Sequence, residues 1–424
     1  MPLTTVRILQ VGDLHLPSVI GERRNVDDKD RSFSFELKNR ISSSPTKVVY
    51  QKLYELISSQ QYDSVLFMGD LTDRGNLKNF DQAARYLAQA LQIGSGRQNH
   101  TVQVGIVPGN HDINRTLASS ASLLDKFSPL NASLVSNGLP TIPVEREALI
   151  EVARENVNAK IVLLNSCWGC GAKEYIPDKF REVVHSAIEG MLTDKDSEEF
   201  GQYYDRQLDT PAFSNETISR VSEARQKTPD ETVEIYVAHH NLLPQRLPRL
   251  APYTELVNSG AMRAVLTDGK KPTIYLHGHI HEDSVEVIST PQGSNLISIS
   301  SPLSSDGFNE VEVVYTATGL PMSCIIYPWR FSNVGVLKKQ ERIVVPLFSN
   351  RRLARDRSLP LLLSFILQCG QVYWSQIERH DPPFYDAQTS EALEEGVEML
   401  IANQSIQVEN YSMKPQHWII RSNL

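Results

Sequence analysis

Five short polar signatures in this chain each follow an apolar, strand-like run, and no other feature limits its fold as strongly. Val6 to Val11 ends on Gly12-Asp13-Leu14-His15, and Asp63 to Met68 ends on Gly69-Asp70-Leu71-Thr72-Asp73. Val102 to Val107 runs into Pro108-Gly109-Asn110-His111-Asp112, Val233 to Val237 into Ala238-His239-His240-Asn241, and Thr273 to Leu276 into His277-Gly278-His279-Ile280-His281. Between them, Lys47 to Gln60 and Phe80 to Ile93 repeat apolar residues every three or four positions, the period of a helix with one buried face. Ile161 to Leu164 reads as a further strand. Alternating strands and helices predict an α/β core whose loops gather polar side chains at one sheet edge.

Later in the chain, Val285 to Ile288, Leu296 to Ser300, Asn309 to Tyr315 and Ser323 to Tyr327 are short, β-rich and separated by turns such as Asp306-Gly307 and Thr318-Gly319. They are expected to form a second sheet packed on the first. Residues 1–330 are read as one large domain, 331–357 as a linker and 358–424 as a small C-terminal domain. Two inserts are expected, 21–35 reaching over the first signature and 180–228 forming a cap. In the C-terminal domain, Leu359 to Gln368, Val372 to Arg379 and Ala392 to Ala402 read as helices, and Ser405 to Val408 and His417 to Arg421 as a hairpin. Three helices and a hairpin match a winged-helix outline, with a helical accessory domain that binds no DNA as the alternative. Glu391, Glu394, Glu395 and Glu398 on the third helix suit a phosphate backbone poorly.

A chain of 424 residues can bury a sizeable core, and 42 Lys plus Arg against 50 Asp plus Glu leave a net charge of -8. That balance gives no support to global attraction toward nucleic acid. Four cysteines make no disulfide framework, and the expected setting is reducing and cytoplasmic. Cys167-Trp168-Gly169-Cys170 has the spacing of a redox or zinc half-site. With no second cysteine pair nearby it is read as incidental, because structural zinc sites need about four ligands. Leu359 to Cys369 is too short for a bilayer, which needs about 20 apolar residues, and reads as a buried helix.

The signatures carry metal-binding chemistry. Asp13 and His15, one residue apart at a strand end, can point into one site. Asp70 is the best candidate to bridge two cations, since a carboxylate offers two oxygens and a full charge. Asn110 adds an amide oxygen, while His239, His279 and His281 add imidazoles. This mixed set suits manganese, iron, zinc, cobalt or nickel rather than calcium.

The whole pattern, from about Val6 to about Tyr327, resembles the calcineurin-like metallophosphoesterase superfamily. The resemblance implies a four-layer α/β/β/α sandwich of two mixed sheets and hydrolysis of phosphate esters with two divalent cations, taken here to be manganese. It implies Asp13, His15, Asp70 and His281 around the first metal, and Asp70, Asn110, His239 and His279 around the second. His111 corresponds to the family's catalytic histidine, with Asp112 expected to orient its ring. The family's frequent His-His-Pro-Pro appears here as His239-His240-Asn241-Leu242, with His239 rather than His240 as the ligand. Asp73 and Arg74 read as loop-fixing residues, Arg74 also as a phosphate contact, and His277 as part of a strand end. Two cations about 3.5–4 Å apart would hold a bridging hydroxide that attacks phosphorus, with His111 stabilising the transition state or protonating the leaving oxygen.

The superfamily spans several substrates. The Gly-Asp-Leu-Thr-Asp form and the paired histidines lean toward a nucleotide or small phosphodiester. A DNA nuclease similar to the Mre11 and SbcD group is the alternative, favoured by Asp13-Leu14-His15-Leu16 and an added C-terminal domain. A third reading is an effector module of a larger complex, with a protein partner or a second copy at the C-terminal domain. Arg351, Arg352, Arg355 and Arg357 read as a solvated linker, and no membrane partner is expected.

Overall fold

The computed structural model describes residues 4–16, 46–59, 62–73, 75–91, 102–118, 124–154, 157–171, 178–192, 210–229, 232–244, 255–281, 283–316, 319–332, 336–348, 358–385, 389–411 and 413–423. The expected insert 21–35, Arg74 and the arginine cluster at 351–357 lie outside these residues.

Two mixed sheets face each other. The first holds β1 (Thr4–Val11), β2 (Ser64–Phe67), β3 (Gln103–Ile106), β10 (Gly307–Tyr315), β11 (Pro321–Phe331), β12 (Leu337–Lys339) and β13 (Ile343–Pro346). Its order is β12-β11-β10-β1-β2-β3, with β13 also on β11. The second runs β4-β5-β6-β7-β9-β8, from β4 (Ala148–Arg154), β5 (Val157–Leu163), β6 (Val233–Val237) and β7 (Thr273–His277) to β8 (Val285–Ser289) and β9 (Asn295–Ser300).

The two-residue period of a strand sorts apolar side chains into layers. Val6 and Ile8 of β1 join Ile235, Val237, Ile274 and Leu276 between the sheets. The alternate residues Leu9 and Val11 face outward and meet α1 (Thr46–Ser59) and α2 (Leu77–Ala90) through Leu53, Phe80 and Leu87. On the outside of the second sheet, Tyr236 and Tyr275 pack with Val221, Met262 and Leu266, which come from helices Asn215–Lys227 and Ser259–Thr267. The result is the expected helix–sheet–sheet–helix sandwich.

Several expectations change. The four late strands do not make a sheet of their own: β8 and β9 extend the sheet of β6 and β7, while β10 and β11 extend that of β1. Local pattern reports that a strand is half-buried but not which neighbour it pairs with. The stretch 331–357, expected as a linker, carries β12 and β13 on β11. Of the expected cap at 180–228, residues 193–209 lie outside the described residues, and helix Asn215–Lys227 belongs to the outer layer. Its start is fixed by Ser214 Oγ, which accepts the Thr217 N–H at 3.0 Å.

The C-terminal region has its own core of Leu362, Ile366, Trp374, Val397 and Ile420. Its order is helix Ser358–Cys369, β14 (Gln371–Tyr373), helix Trp374–Glu378, helix Ser390–Ala402, β15 (Ile406–Glu409) and β16 (Ile419–Ser422). β14 pairs with β16, and β16 with β15. A short strand thus replaces the first part of the helix expected over 372–379, which completes a winged-helix order. Helix Ser358–Cys369 is only half-buried, since Leu361 is 57% exposed while Leu362 is fully buried. The region rests on the first sheet through Ala402 beside Val314, Met322 and Ile325, and the Ser323 hydroxyl donates to the Ala402 carbonyl at 2.6 Å. Among the described residues, no helix is long and apolar enough to cross a membrane.

Candidate metal centre

All five signatures lie at the C-terminal edges of strands β1, β2, β3, β6 and β7. Parallel pairing of β1 with β2 continues into their exit loops, where Leu14 N–H and His15 N–H both donate to the Asp70 carbonyl at 2.9 Å. This sets Asp13 and His15 beside Asp70, although 55 or more positions separate them in sequence. β6 and β7 bring the histidines in from the facing sheet, and Gly278 N–H donates to the His239 carbonyl at 3.0 Å.

Asp70 stands between two donor groups. Its Oδ2 lies 3.4 Å from His239 Nε2 and 3.9 Å from His15 Nε2, while Oδ1 accepts the His111 N–H at 2.8 Å. On one side, Asp13, His15 and His281 bring donor atoms within 4.8 Å of one another; on the other, Asp13, Asp70 and His239 do the same, as do His239, His240 and His279. Asn110 Oδ1 lies 3.1 Å from His239 Nε2. The structure therefore assembles all seven residues singled out as ligands.

The donor set fits divalent cations on three counts. Asp13 Oδ1 is buried without a hydrogen-bond partner, an expensive arrangement unless another group satisfies it, and His281 Nε2 lies against the same carboxylate, 2.6 Å from Asp13 Oδ2. His239 Nδ1 is held 2.7 Å from the Met68 carbonyl, to which it donates, so Nε2, facing Asp70 and Asn110, is the nitrogen that can ligate once its own proton is lost. The charges also call for a cation. Burial opposes a charge on His239, yet the Asp70 and Asp13 carboxylates outweigh it and push this imidazole up to about 10. Burial would raise Asp70, but His239, His111 and His15 hold it well below the usual carboxylate range. Burial, with His239 adding to it, brings His279 down to about 3, so its ring is neutral and free to ligate.

The backbone is bent to make this possible. His15, Asp70, His279 and His281 have φ of 46°, 48°, 66° and 53°, in the left-handed region that non-glycine residues rarely occupy. The glycines beside them make room. A Cβ on Gly109 would sit 2.1 Å from Asp70 Oδ1, and one on Gly278 would sit 2.6 Å from Asp13 Oδ1.

His111 lies in the site, its ring 5.0 Å from that of His15, and its Nδ1 is 2.9 Å from the Asp73 carbonyl. Here the expectation for Asp112 is corrected. Its Oδ1 accepts from Thr72 N–H at 2.9 Å, and its Oδ2 from Leu71 N–H at 3.1 Å and Gly109 N–H at 3.0 Å. Asp112 thus ties the β2 and β3 exit loops together, while the backbone of Asp73 holds the His111 ring. The motif could not reveal this, because a carbonyl has no residue identity. Burial and the charge of Asp70 push the Asp112 carboxyl up to about 6. His277 closes β7, its carbonyl accepting from Gln10, and His240 turns toward Ser166 Oγ, 2.9 Å from its Nδ1.

The family model for calcineurin-like phosphoesterases matches residues 6–283, a span that holds all five signatures. No curated protein matches. Among solved structures, the chain is similar to a dimetal phosphatase from Danio rerio at 13% identity, over 81% of this chain and 99% of that one, with a TM-score of 0.43. It is similar to a 5′-nucleotidase precursor from Thermus thermophilus at 12% identity, over 86% and 59%, with a TM-score of 0.40. The NAD nucleotidase of Haemophilus influenzae follows at 12% identity, over 82% and 51%, with a TM-score of 0.40. The chain thus spans less than two thirds of either nucleotidase.

Proposed function

Since this chain belongs to the calcineurin-like phosphoesterase family, we propose that it hydrolyses a phosphodiester bond, in a nucleotide or another small diester, with two manganese ions as its cofactors. The observation that carries the reading is the position of Asp70 Oδ2 between His239 and His15, where one carboxylate can serve two cations. Asp13, His15, Asp70 and His281 would hold the first cation, and Asp70, Asn110, His239 and His279 would hold the second. When bound, the pair supplies Lewis acidity that activates a water and neutralises charge developing on phosphoryl oxygens.

The rest of the chemistry falls to the protein. His111 is anchored through Nδ1 to a backbone carbonyl, so its other nitrogen can give a proton to the leaving oxygen. Asp112 keeps Gly109 and Leu71 in register, and so holds Asn110 and His111 opposite Asp70. The Met68 and Asp73 carbonyls orient two rings without using a side chain.

A nuclease reading draws on the winged-helix order of the C-terminal region. Its helix Ser390–Ala402 counts against it, with Glu391 and Glu395 exposed and the carboxyl end at Ala402 covered by the first sheet. The deciding experiment is a screen of the purified chain with manganese across bis-p-nitrophenyl phosphate, p-nitrophenyl phosphate, cyclic nucleotides, and single- and double-stranded DNA, with Asp70→Asn as control. Turnover of small diesters that Asp70→Asn abolishes is expected. Cleavage of monoesters alone would overturn the substrate class, and preference for DNA would establish the nuclease.

A further inference from the structure

Cys167 and Cys170 have a third partner in the folded chain. β5 and β6 are parallel neighbours, so the loop leaving β5 at residues 164–170 lies against the loop leaving β6 at residues 238–241. Leu164 N–H donates to the Val237 carbonyl at 2.8 Å, and Ser166 Oγ accepts the His240 N–H at 3.2 Å. This places Cys167 Sγ, Cys170 Sγ and a ring nitrogen of His240 within 4.8 Å of one another, and Cys167 Sγ is 4.0 Å from His240 Nδ1. Both cysteines are 0% exposed and His240 is 1% exposed.

The loop is built to hold the two sulfurs together. Cys170 N–H donates to the Cys167 carbonyl at 3.0 Å, closing a turn that directs both side chains inward. Lys126, fully buried, donates through Nζ to the carbonyls of Trp168 and Cys170 and fixes the turn from behind. Cys167 N–H is held by Asn165 Oδ1 at 2.9 Å.

We propose that Cys167, Cys170 and His240 form a third cation site, separate from the dinuclear centre, for a thiophilic divalent ion of the zinc class. Two thiolates and one imidazole are the donors such an ion takes, and a tetrahedral zinc sets them about 3.5–3.8 Å apart. The three donors already lie within 4.8 Å of one another, and binding draws them together. Ser166 Oγ, 2.9 Å from His240 Nδ1, gives up its contact with that nitrogen on binding and is recruited as the fourth ligand. Binding forms two metal–sulfur bonds and one metal–nitrogen bond, and the two thiol protons leave to solvent. The site is structural in effect. It clamps His240, whose neighbour His239 lies in the dinuclear centre with their rings 4.8 Å apart.

The test uses the reduced, chelator-stripped full chain titrated with cobalt(II) under anaerobic conditions. A thiolate-to-cobalt charge-transfer band is expected. It should be lost in Cys167→Ser and in Cys170→Ser, shifted in His240→Gln, and kept in Cys369→Ser, which changes an exposed thiol. Zinc should displace the cobalt and bleach the band in the wild type, a readout that needs no variant. Asp70→Asn should keep the band, so failure of the dinuclear centre and failure of this site are distinguishable. The absence of any thiolate band in the wild type would overturn the proposal. So would a band surviving both cysteine substitutions, or recovery of a Cys167–Cys170 disulfide from protein that gives no band once reduced.

Discussion

A single carboxylate shared by two groups of donors makes Asp70 the residue on which the centre depends most. In Asp70→Asn both cations of the dinuclear centre should be lost together, with manganese content by plasma emission falling toward zero and turnover dropping by more than the roughly 10–100-fold typical of an outer-shell change. A variant that keeps both metals and full activity would refute the bridging role. His111 should behave in the opposite way. His111→Ala should keep its metal content and lose roughly 10²–10⁴-fold in turnover, the range of a general acid. His239 adds a pH dependence. Without cations its imidazole is pushed up to about 10, so at neutral pH it carries a proton that must leave before Nε2 can ligate. Cation affinity should therefore rise with pH below that value, by about tenfold per unit for one displaced proton. Calorimetric titration in buffers of different ionisation enthalpy should report the released proton; a binding heat independent of buffer would contradict it.

At the level of elements, the site is a property of strand exits rather than of any one strand. β1, β2 and β3 lie parallel in one sheet, β6 and β7 in the other, and their C-terminal ends meet across the inter-sheet core. The exits must turn sharply, which is why four of the site residues take left-handed φ and why Gly109 has no side chain. In Gly109→Ala the new methyl would meet Asp70 Oδ1 at 2.1 Å. It should cost about 1–3 kcal/mol of stability by overpacking and displace Asp70. Thermal melting would report the first effect and metal stoichiometry the second. The Gly-Asp and Gly-Asn signatures were legible in the sequence because glycine and ligand are adjacent there. The Met68 and Asp73 carbonyls were not, since backbone atoms carry no residue signal. The Asp112 contacts were hidden because its partners, Leu71 and Thr72, lie about forty positions away.

For the molecule as a whole, the C-terminal region adds a second core and touches the first sheet over a small apolar contact around Ala402, on β10 and β11 rather than at the strand exits. Ala402→Leu should loosen that contact by about 1–3 kcal/mol and leave hydrolysis of a small diester unchanged. Limited proteolysis would report the loosening, and a matching loss of small-diester activity would mean that the region supports the site directly. The strands at 337–346 extend the first sheet beyond where composition suggested a linker. Short edge strands with lysines and a proline carry little hydrophobic alternation, so their pairing with β11 could not be read from pattern.

The sequence by itself determined the chemistry: which side chains can bind cations, that they follow buried strands, and that the core is α/β. These are local properties, set by residue type and by a period of two or three to four. Only the tertiary structure decided which strands share a sheet, which carbonyls and carboxylates hold the rings, and that His240 meets Cys167 and Cys170. Those outcomes depend on pairing and packing between residues tens to hundreds of positions apart, where the free energy belongs to the contact and not to either segment alone.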